Sequence, residues 1–421
     1  MERPGDEKRE YFHRRKTMKK KVLSVLLCGA MVATMFTGCG SSKGGSVTVW
    51  VAEEVVDFTA AKVDEFKAAN PAYKNWEVTV EPCGEGDAAG NMITDVEAGA
   101  DIFGFAQDQL SRLVAAGAVT SITGDYQKFV ADQNDAGAVG AAKVGDTTYA
   151  FPLTSDNGYF LYYDKSVVSD PSTLEGILAD CEAAGKGFYM EINSGWYQPA
   201  FFFGTGCTLT YDTDSDGNFT GSNITYASAE GVAALKAMNM VAASPAFTNG
   251  SSIGAASNVG AIVDGTWDSA AAKDLFGDNY ACSKLPTFSV DGATYQMSGF
   301  GGFKLMGVKP QADADKLEFC LELAKFLSSG DVQLARYNEK GWGPSNLIAQ
   351  ANDAVKADEA LSALAEQLAN TIPQGQYPGD YWSDATSLGD DVIAGNYQGM
   401  SDADLMAVLQ AFQDKEASLA Q

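Results

Sequence analysis

From Val47 onwards, short β-branched or aromatic runs alternate with segments of helical period. This alternation limits the fold more than any other feature of the chain. "VTVWV" (47–51) reads as a strand, and Asp57–Ala69 sets Phe58, Ala61, Val63 and Phe66 near helical spacing before Asn70–Pro71 stops it. "WEVTV" (76–80) alternates as a strand, Met92–Ala98 reads as a helix, and "DIFGF" (101–105) as a buried strand. Asp108–Ala116 is predicted helical with Gly117 as its stop. "TTYAFP" and "GYFLYY" (158–163) read as two further strands, followed by helix Ser172–Ala184 and strand "FYMEI" (188–192). Helix Ser228–Ala242, strand "GAIV" (260–263), helix Trp267–Leu275, strand "YACSKL" and strand "FKLMGV" continue the series. From Asp313 the chain is predicted mostly helical, ending in Asp402–Ala417. Strands separated by helices favour parallel sheets with crossover connections, so the reading is α/β in two lobes with a helical C-terminal segment.

Ahead of this region, Lys19, Lys20 and Lys21 precede the uncharged run Val22–Phe36, which passes through Thr37–Gly38 into Cys39. A basic stretch followed by an apolar one is the layout of a secretory signal. The 15 residues of Val22–Phe36 fall short of the roughly 20 that span a bilayer as a helix. The pattern resembles bacterial lipoprotein signals, in which the Cys is lipidated; Phe36 stands where Leu is usual. An uncleaved anchor is the alternative. Residues 1–17 carry Glu2, Asp6, Glu7 and Glu10, which fit poorly before a signal, so translation is expected to start at Met18.

The first 38 residues hold 9 Lys+Arg and 4 Asp+Glu of the chain's 29 and 55, leaving 20 basic and 51 acidic residues and a net charge near −31. Such a surface repels phosphate backbones and anionic bilayers, so no nucleic-acid partner is expected and any membrane contact is through the lipid anchor alone. The only histidine is His13, which excludes histidine-dependent catalysis and histidine metal sites beyond it. Five cysteines follow Cys39, namely Cys83, Cys181, Cys207, Cys282 and Cys320. An odd number requires at least one free thiol. Asp212, Asp214 and Asp216 in "DTDSDG" match half of a calcium loop, but Asn223 stands at the twelfth position and "TLTYD" before it reads as strand, so a hairpin turn is the favoured reading.

The ordered set "VTVWV", "DIFGFAQDQLSRLVAAGAV", "YAFPLTSDNGYFLYYDKS", "DGTWDSAAA", "KLPTF", "GWGPSN" and "YW" (381–382) resembles the maltose/maltodextrin-binding proteins of ABC importers, Gram-positive lipoproteins in particular. The likeness runs from about Val47 to Ala417. It implies a two-lobed periplasmic-binding-protein-like fold with hinge crossings near Ser155–Gly158, Met297–Gly301 and Pro344–Leu347. The implied layout is a leader and signal peptide over 1–38 and a lipidated Cys39 with tether over 39–46. The first lobe would take 47–155 plus 300–345, and the second 156–299 plus 346–421. The implied function is capture of oligosaccharides, maltodextrins first, and delivery to the permease subunits of an importer. The protein would be a non-enzymatic monomer without cofactor, at the outer face of the cell membrane. Another oligosaccharide is the nearest alternative; a surface glycoside hydrolase is the alternative of a different class.

A sugar needs flat aromatic platforms and bidentate polar groups. The resemblance implies polar contacts from Glu53 and Glu54, from Asp108 and Gln109, and from Asp156 and Asn157. Asp108 also reads as a helix N-cap, and Asp156 as a turn residue, with ligand contact favoured. Implied platforms are Trp267, Trp382 and the Trp196–Tyr197 pair, with Phe105 standing in for a first-lobe tryptophan. Trp50 and Trp76 read as core; Trp342 reads as hinge packing or a third platform.

Overall fold

The computed structural model describes residues 44–214 and 218–420. The signal, Met18, Cys39 and Asp216 lie outside the described residues. Ten strands form one continuous sheet: β1 (Ser46–Val51), β2 (Glu77–Pro82), β3 (Ile102–Ala106), β4 (Ala150–Asp164), β5 (Gly187–Tyr189), β6 (Phe247–Thr248), β7 (Val259–Gly265), β8 (Tyr280–Ser283), β9 (Phe300–Val308) and β10 (Ile372–Pro373). Their order is β6-β5-β7-β4-β9-β3-β1-β2, with β8 on β4 and β10 on β9. β1, β2 and β3 are parallel, and so are β5, β6 and β7; β4 and β9 run antiparallel to their neighbours in the main path. The α/β reading therefore holds, with an antiparallel centre where two parallel halves meet.

The two strands expected around Ala150–Tyr163 are one. Gly158 and Asn157 pair with Gly301 and Gly302, Thr154 pairs with Lys304, and beyond Gly158 the same strand pairs with β7. Thr154, Asp156 and Asn157 are buried, so the ladder supplies their backbone partners and the strand runs through. The helix expected over 92–98 lies earlier, at Ala88–Thr94. Strand "FYMEI" shortens to Gly187–Tyr189, limited by the two-residue neighbour β6. The C-terminal helix is Asp402–Ser418, opened by Ser401, whose side chain accepts from the Asp404 N–H. Thr173 caps Leu174–Ala184 in the same way, and Gly185 ends that helix at φ 62°.

Buried apolar side chains form two main clusters. One gathers residues between Val47 and Leu153 with Leu305–Trp342; the other gathers residues between Tyr159 and Ala420. Trp76 stacks on Phe319 in the first cluster with ring centroids 4.5 Å apart, as its core reading requires. Trp50 is only half-buried, and its indole N–H donates to Glu81. Among the described residues all five cysteines are free thiols. Leu209–Thr213 and Phe219–Ile224 pair antiparallel around "DTDSDG", whose residues 215–217 lie outside the described residues. Among the described residues no group of three or more His, Cys, Asp or Glu is placed to hold a metal.

Candidate functional site

A cleft of about 710 Å³ opens beside the carboxyl ends of β1 and β3. In parallel sheets that edge collects loops and helix starts, which is where ligands bind. Glu54 reaches the cleft from the turn after β1, Glu85 and Asp87 from the loop after β2, and Asn91 from the helix Ala88–Thr94 that follows it. Asp108, Gln109 and Arg112 follow β3, where a 3₁₀ turn at Gln107–Gln109 leads into helix Leu110–Ala115. Asn157 comes from β4 and Lys304 from β9. Trp196, Trp267, Gln374 and Trp382 complete the lining.

Asp108 is 6% exposed, and its Oδ1 has no hydrogen-bond partner. Burial pushes its carboxyl up to about 7, against the opposing pull of a backbone N–H and the Arg112 guanidinium. A buried, unpartnered acceptor at a cleft wall is held ready for a ligand donor. Gln109 is committed elsewhere: its Nε2 donates to Gly86 O (2.6 Å) and its Oε1 accepts from Ala89 N (3.2 Å), fixing the loop that carries Glu85 and Asp87. Asn157 Nδ2 donates to Gln374 Oε1 (3.3 Å), while Gln374 O accepts from Gln107 Nε2 (2.8 Å). This amide chain links the turn after β3 to the segment after β10.

Each tryptophan has a local reason for its place. Trp196 stacks on Phe300 (5.3 Å, 22°) and meets Tyr159 edge-on. The neighbouring Gly195 lets the chain approach Tyr381, Trp382 and Ala385, which a Cβ would meet at 3.1–3.2 Å. Trp382 stands in the first turn of helix Gly379–Ile393 and packs on Tyr377 and Tyr381. Trp267 sits in the 3₁₀ turn Thr266–Asp268, its ring folded back over Gly265. All three are half-buried, so part of each ring stays open to the cleft.

Seven of the expected site residues thus meet at one cleft: Glu54, Asp108, Gln109, Asn157, Trp196, Trp267 and Trp382. Glu53 instead lines an adjoining hollow with Glu54, Glu85 and Asp87. Phe105 is fully buried beside Phe103 and offers no platform; its side chain belongs to the first core. Tyr197 packs on Tyr159 in the second core, with centroids 4.9 Å apart. Asp156 is 3% exposed and away from the cleft lining. Its Oδ2 accepts from the Thr266 hydroxyl and from Gly343 N. Successive side chains of a strand face opposite ways, so only Asn157 of this pair reaches the cleft.

Sequence reading missed Glu85, Asp87, Asn91, Arg112, Lys304 and Gln374. Arg112 was traceable, because it follows Asp108 by four residues on a predicted helix. Lys304 was traceable as a lone charge inside the apolar run "FGGFKLMGV". Glu85, Asp87 and Asn91 sit around the glycines of "CGEGDAAGN" without periodicity, and Gln374 in an irregular segment, so no pattern marked them.

A family model described as bacterial extracellular solute-binding protein matches residues 61–363. The chain is 24% identical over 409 residues to the galactooligosaccharide-binding protein of Bacillus subtilis, covering 90% of this chain and 93% of that one. It is 25% identical over 416 residues to a maltooligosaccharide ABC transporter solute-binding lipoprotein of Streptococcus pneumoniae, covering 89% and 90%. Among solved structures, one in complex with acarbose superposes with a TM-score of 0.79 at 26% identity, covering 90% of this chain and 100% of that one. The maltodextrin-binding protein of L. casei without ligand gives 0.72 at 23% identity, covering 89% and 99%.

Proposed function

Because the chain belongs to the bacterial extracellular solute-binding protein family, we propose that it captures neutral oligosaccharides, maltooligosaccharides first, and delivers them to an ABC importer. The observation that carries this reading is the composition of the cleft. Three half-open indoles, Trp196, Trp267 and Trp382, share one cavity with the unpartnered Asp108 Oδ1 and the Asn157–Gln374 amides. Indole faces suit the C–H faces of pyranose rings, and carboxylate and amide groups suit their hydroxyls. The named relatives, for maltooligosaccharides and for galactooligosaccharides, support an oligosaccharide ligand.

A hydrolase needs two carboxyls on opposite sides of the scissile bond. The cleft acids Glu54, Glu85, Asp87 and Asp108 all follow β1, β2 or β3, an arrangement that favours binding over cleavage. Asp156, Phe105 and Tyr197 act as support, while Asp108, Asn157, Trp196, Trp267 and Trp382 touch the sugar. The mature chain begins at lipidated Cys39 and stays at the outer face of the membrane as a monomer. Cys39→Ala is expected to release it from the membrane fraction.

Titration calorimetry against maltotriose, maltotetraose and galactooligosaccharides, with chromatography of the sugars afterwards, tests the proposal. Binding without shorter products is expected. Trp267→Ala and Trp382→Ala should each cost about 1–3 kcal/mol of affinity, the usual effect of truncating a buried aromatic anchor. Shorter products, or full-strength binding by both variants, would count against it.

A further inference from the structure

Lys304 is the single charge of strand β9, and the fold buries it to 7% side-chain exposure. Its Nζ lies 3.8 Å from the ring centroid of Trp342 and 5.5 Å from that of Trp267. Its nearest ion-pair partner, Glu85 Oε2, is also 3.8 Å away. That separation is an ion pair but too long for a hydrogen bond. Two indole faces therefore provide much of the compensation for a nearly dry ammonium.

The two rings come from distant parts of the chain. Trp342 is 2% exposed within the first core cluster. Trp267 follows β7, a strand on the far side of β4, yet packs against that same first cluster. The segments that carry them are also joined. Asp156 accepts from the Thr266 hydroxyl, one residue before Trp267, and from Gly343 N, one residue after Trp342. Asp156 ties the two segments and Lys304 ties the rings.

We infer that Lys304 is a positioning residue for the Trp267 sugar platform: its ammonium, gripped between Trp342 and Trp267 beside Glu85, sets the tilt of the Trp267 ring and holds it against the first core. A neutral side chain of the same length would fill the space and orient the ring less strongly, because a cation is drawn to the ring's electron-rich face more than a thioether or an amide N–H is. Glu85 pairs with the ammonium and lines the cleft, so the clamp reaches from the core to the cleft wall. The inference rests on the reading of Trp267 as a sugar platform.

The test uses wild type, Lys304→Met, Lys304→Gln, Lys304→Arg, Trp267→Ala and the double variant Lys304→Met/Trp267→Ala. Binding is read by maltotriose calorimetry, and the ligand-free indole signal by near-ultraviolet circular dichroism. Lys304→Met should weaken maltotriose about tenfold, the scale of a desolvated cation–π contact. In the Trp267→Ala background the same substitution should cost nothing further. Lys304→Arg should keep most of the affinity, since guanidinium also stacks on indole. The ligand-free indole bands of Lys304→Met, and of Lys304→Gln as its polar counterpart, should change while the far-ultraviolet spectrum stays as in wild type. Additive losses in the double variant would mean that Lys304 contacts sugar directly and would overturn the inference, as would unchanged indole bands. A wild type that binds no tested sugar would sink the sugar reading instead, and a ligand-free indole-band change that Lys304→Met produces in wild type but not in the Trp267→Ala background would still decide whether Lys304 orients Trp267.

Discussion

Asp108 is nearly buried at the end of β3, and burial pushes its carboxyl up to about 7. Glu416 moves the same way, to about 7, although its Oε2 accepts from the Tyr211 hydroxyl at 2.6 Å. A carboxyl with a raised folded-state pKa holds its proton more tightly folded than unfolded. The folded state is therefore free of this penalty below about pH 4, and stability falls as pH climbs towards about 7, by at most roughly 1.4 kcal/mol per pH unit and group. The melting temperature of the ligand-free protein should accordingly rise between pH 8 and pH 5. Asp108→Asn should show a smaller rise and should be more stable than wild type at pH 8, since it removes a charge that is costly to bury. An identical pH profile for the two proteins would refute the assignment. Asp156 behaves differently, because it satisfies two donors inside the protein. Asp156→Ala leaves the Thr266 hydroxyl and the Gly343 N–H without that acceptor and should cost about 2–4 kcal/mol in urea unfolding. The sequence made Asp156 and Asn157 look like a pair of cleft residues, and the structure brings only Asn157 to the cleft. What it hid was strand phase: Asn157 faces the cleft and Asp156 the interior, a choice made only once β4 is known to run unbroken through the hinge.

β4 also shows why the element pattern was partly legible. Its ends, "TTYAFP" and "GYFLYY", announced strands, but "LTSDN" between them separated the two. In the folded chain the ladder with β9 carries the centre, and its polar side chains have partners in sequence-distant segments. Strand content was thus readable from local pattern, whereas continuity depended on a neighbour about 150 residues away. The 3₁₀ turn after β7 makes a similar point. Gly265 precedes Trp267 in "DGTW", and a Cβ at Gly265 would fall 2.1 Å from the indole ring. Gly265→Ala must therefore move the ring, since separations under van der Waals contact are not tolerated. The variant should fold, because the clash is with an aromatic side chain at a cleft wall, and should lose sugar affinity on the same scale as Trp267→Ala, about 1–3 kcal/mol. Wild-type affinity for Gly265→Ala would show that the position of the Trp267 ring is irrelevant to binding.

The molecule holds two large apolar clusters joined by β4, by β9 and by the segment around Trp342–Asn346. Cleft residues attach to both: those after β1, β2 and β3 to the first cluster, and Trp196 and Trp382 to the second. A sugar touching both walls gains contacts only when the walls meet it together, and it then shifts the population towards a closed form. The joints are few and narrow. Gly299, at φ 140°, leads into β9, and Gly341, at φ 79°, precedes Trp342; both conformations favour glycine. Hinges of this kind concentrate rotation in a handful of backbone angles. Solution scattering should therefore show a smaller radius of gyration when saturating maltotriose is added to the wild-type protein. Asp156 bridges the turn before Trp267 to the segment after Trp342, so it ties one joint to the platform. In Asp156→Asn, which keeps one acceptor but loses the charge, the closing change should need more sugar to reach the same extent, because an oxygen without charge holds the two donors less strongly. An unchanged radius at saturation, with binding confirmed by calorimetry, would mean that the two clusters and their cleft act as one rigid body.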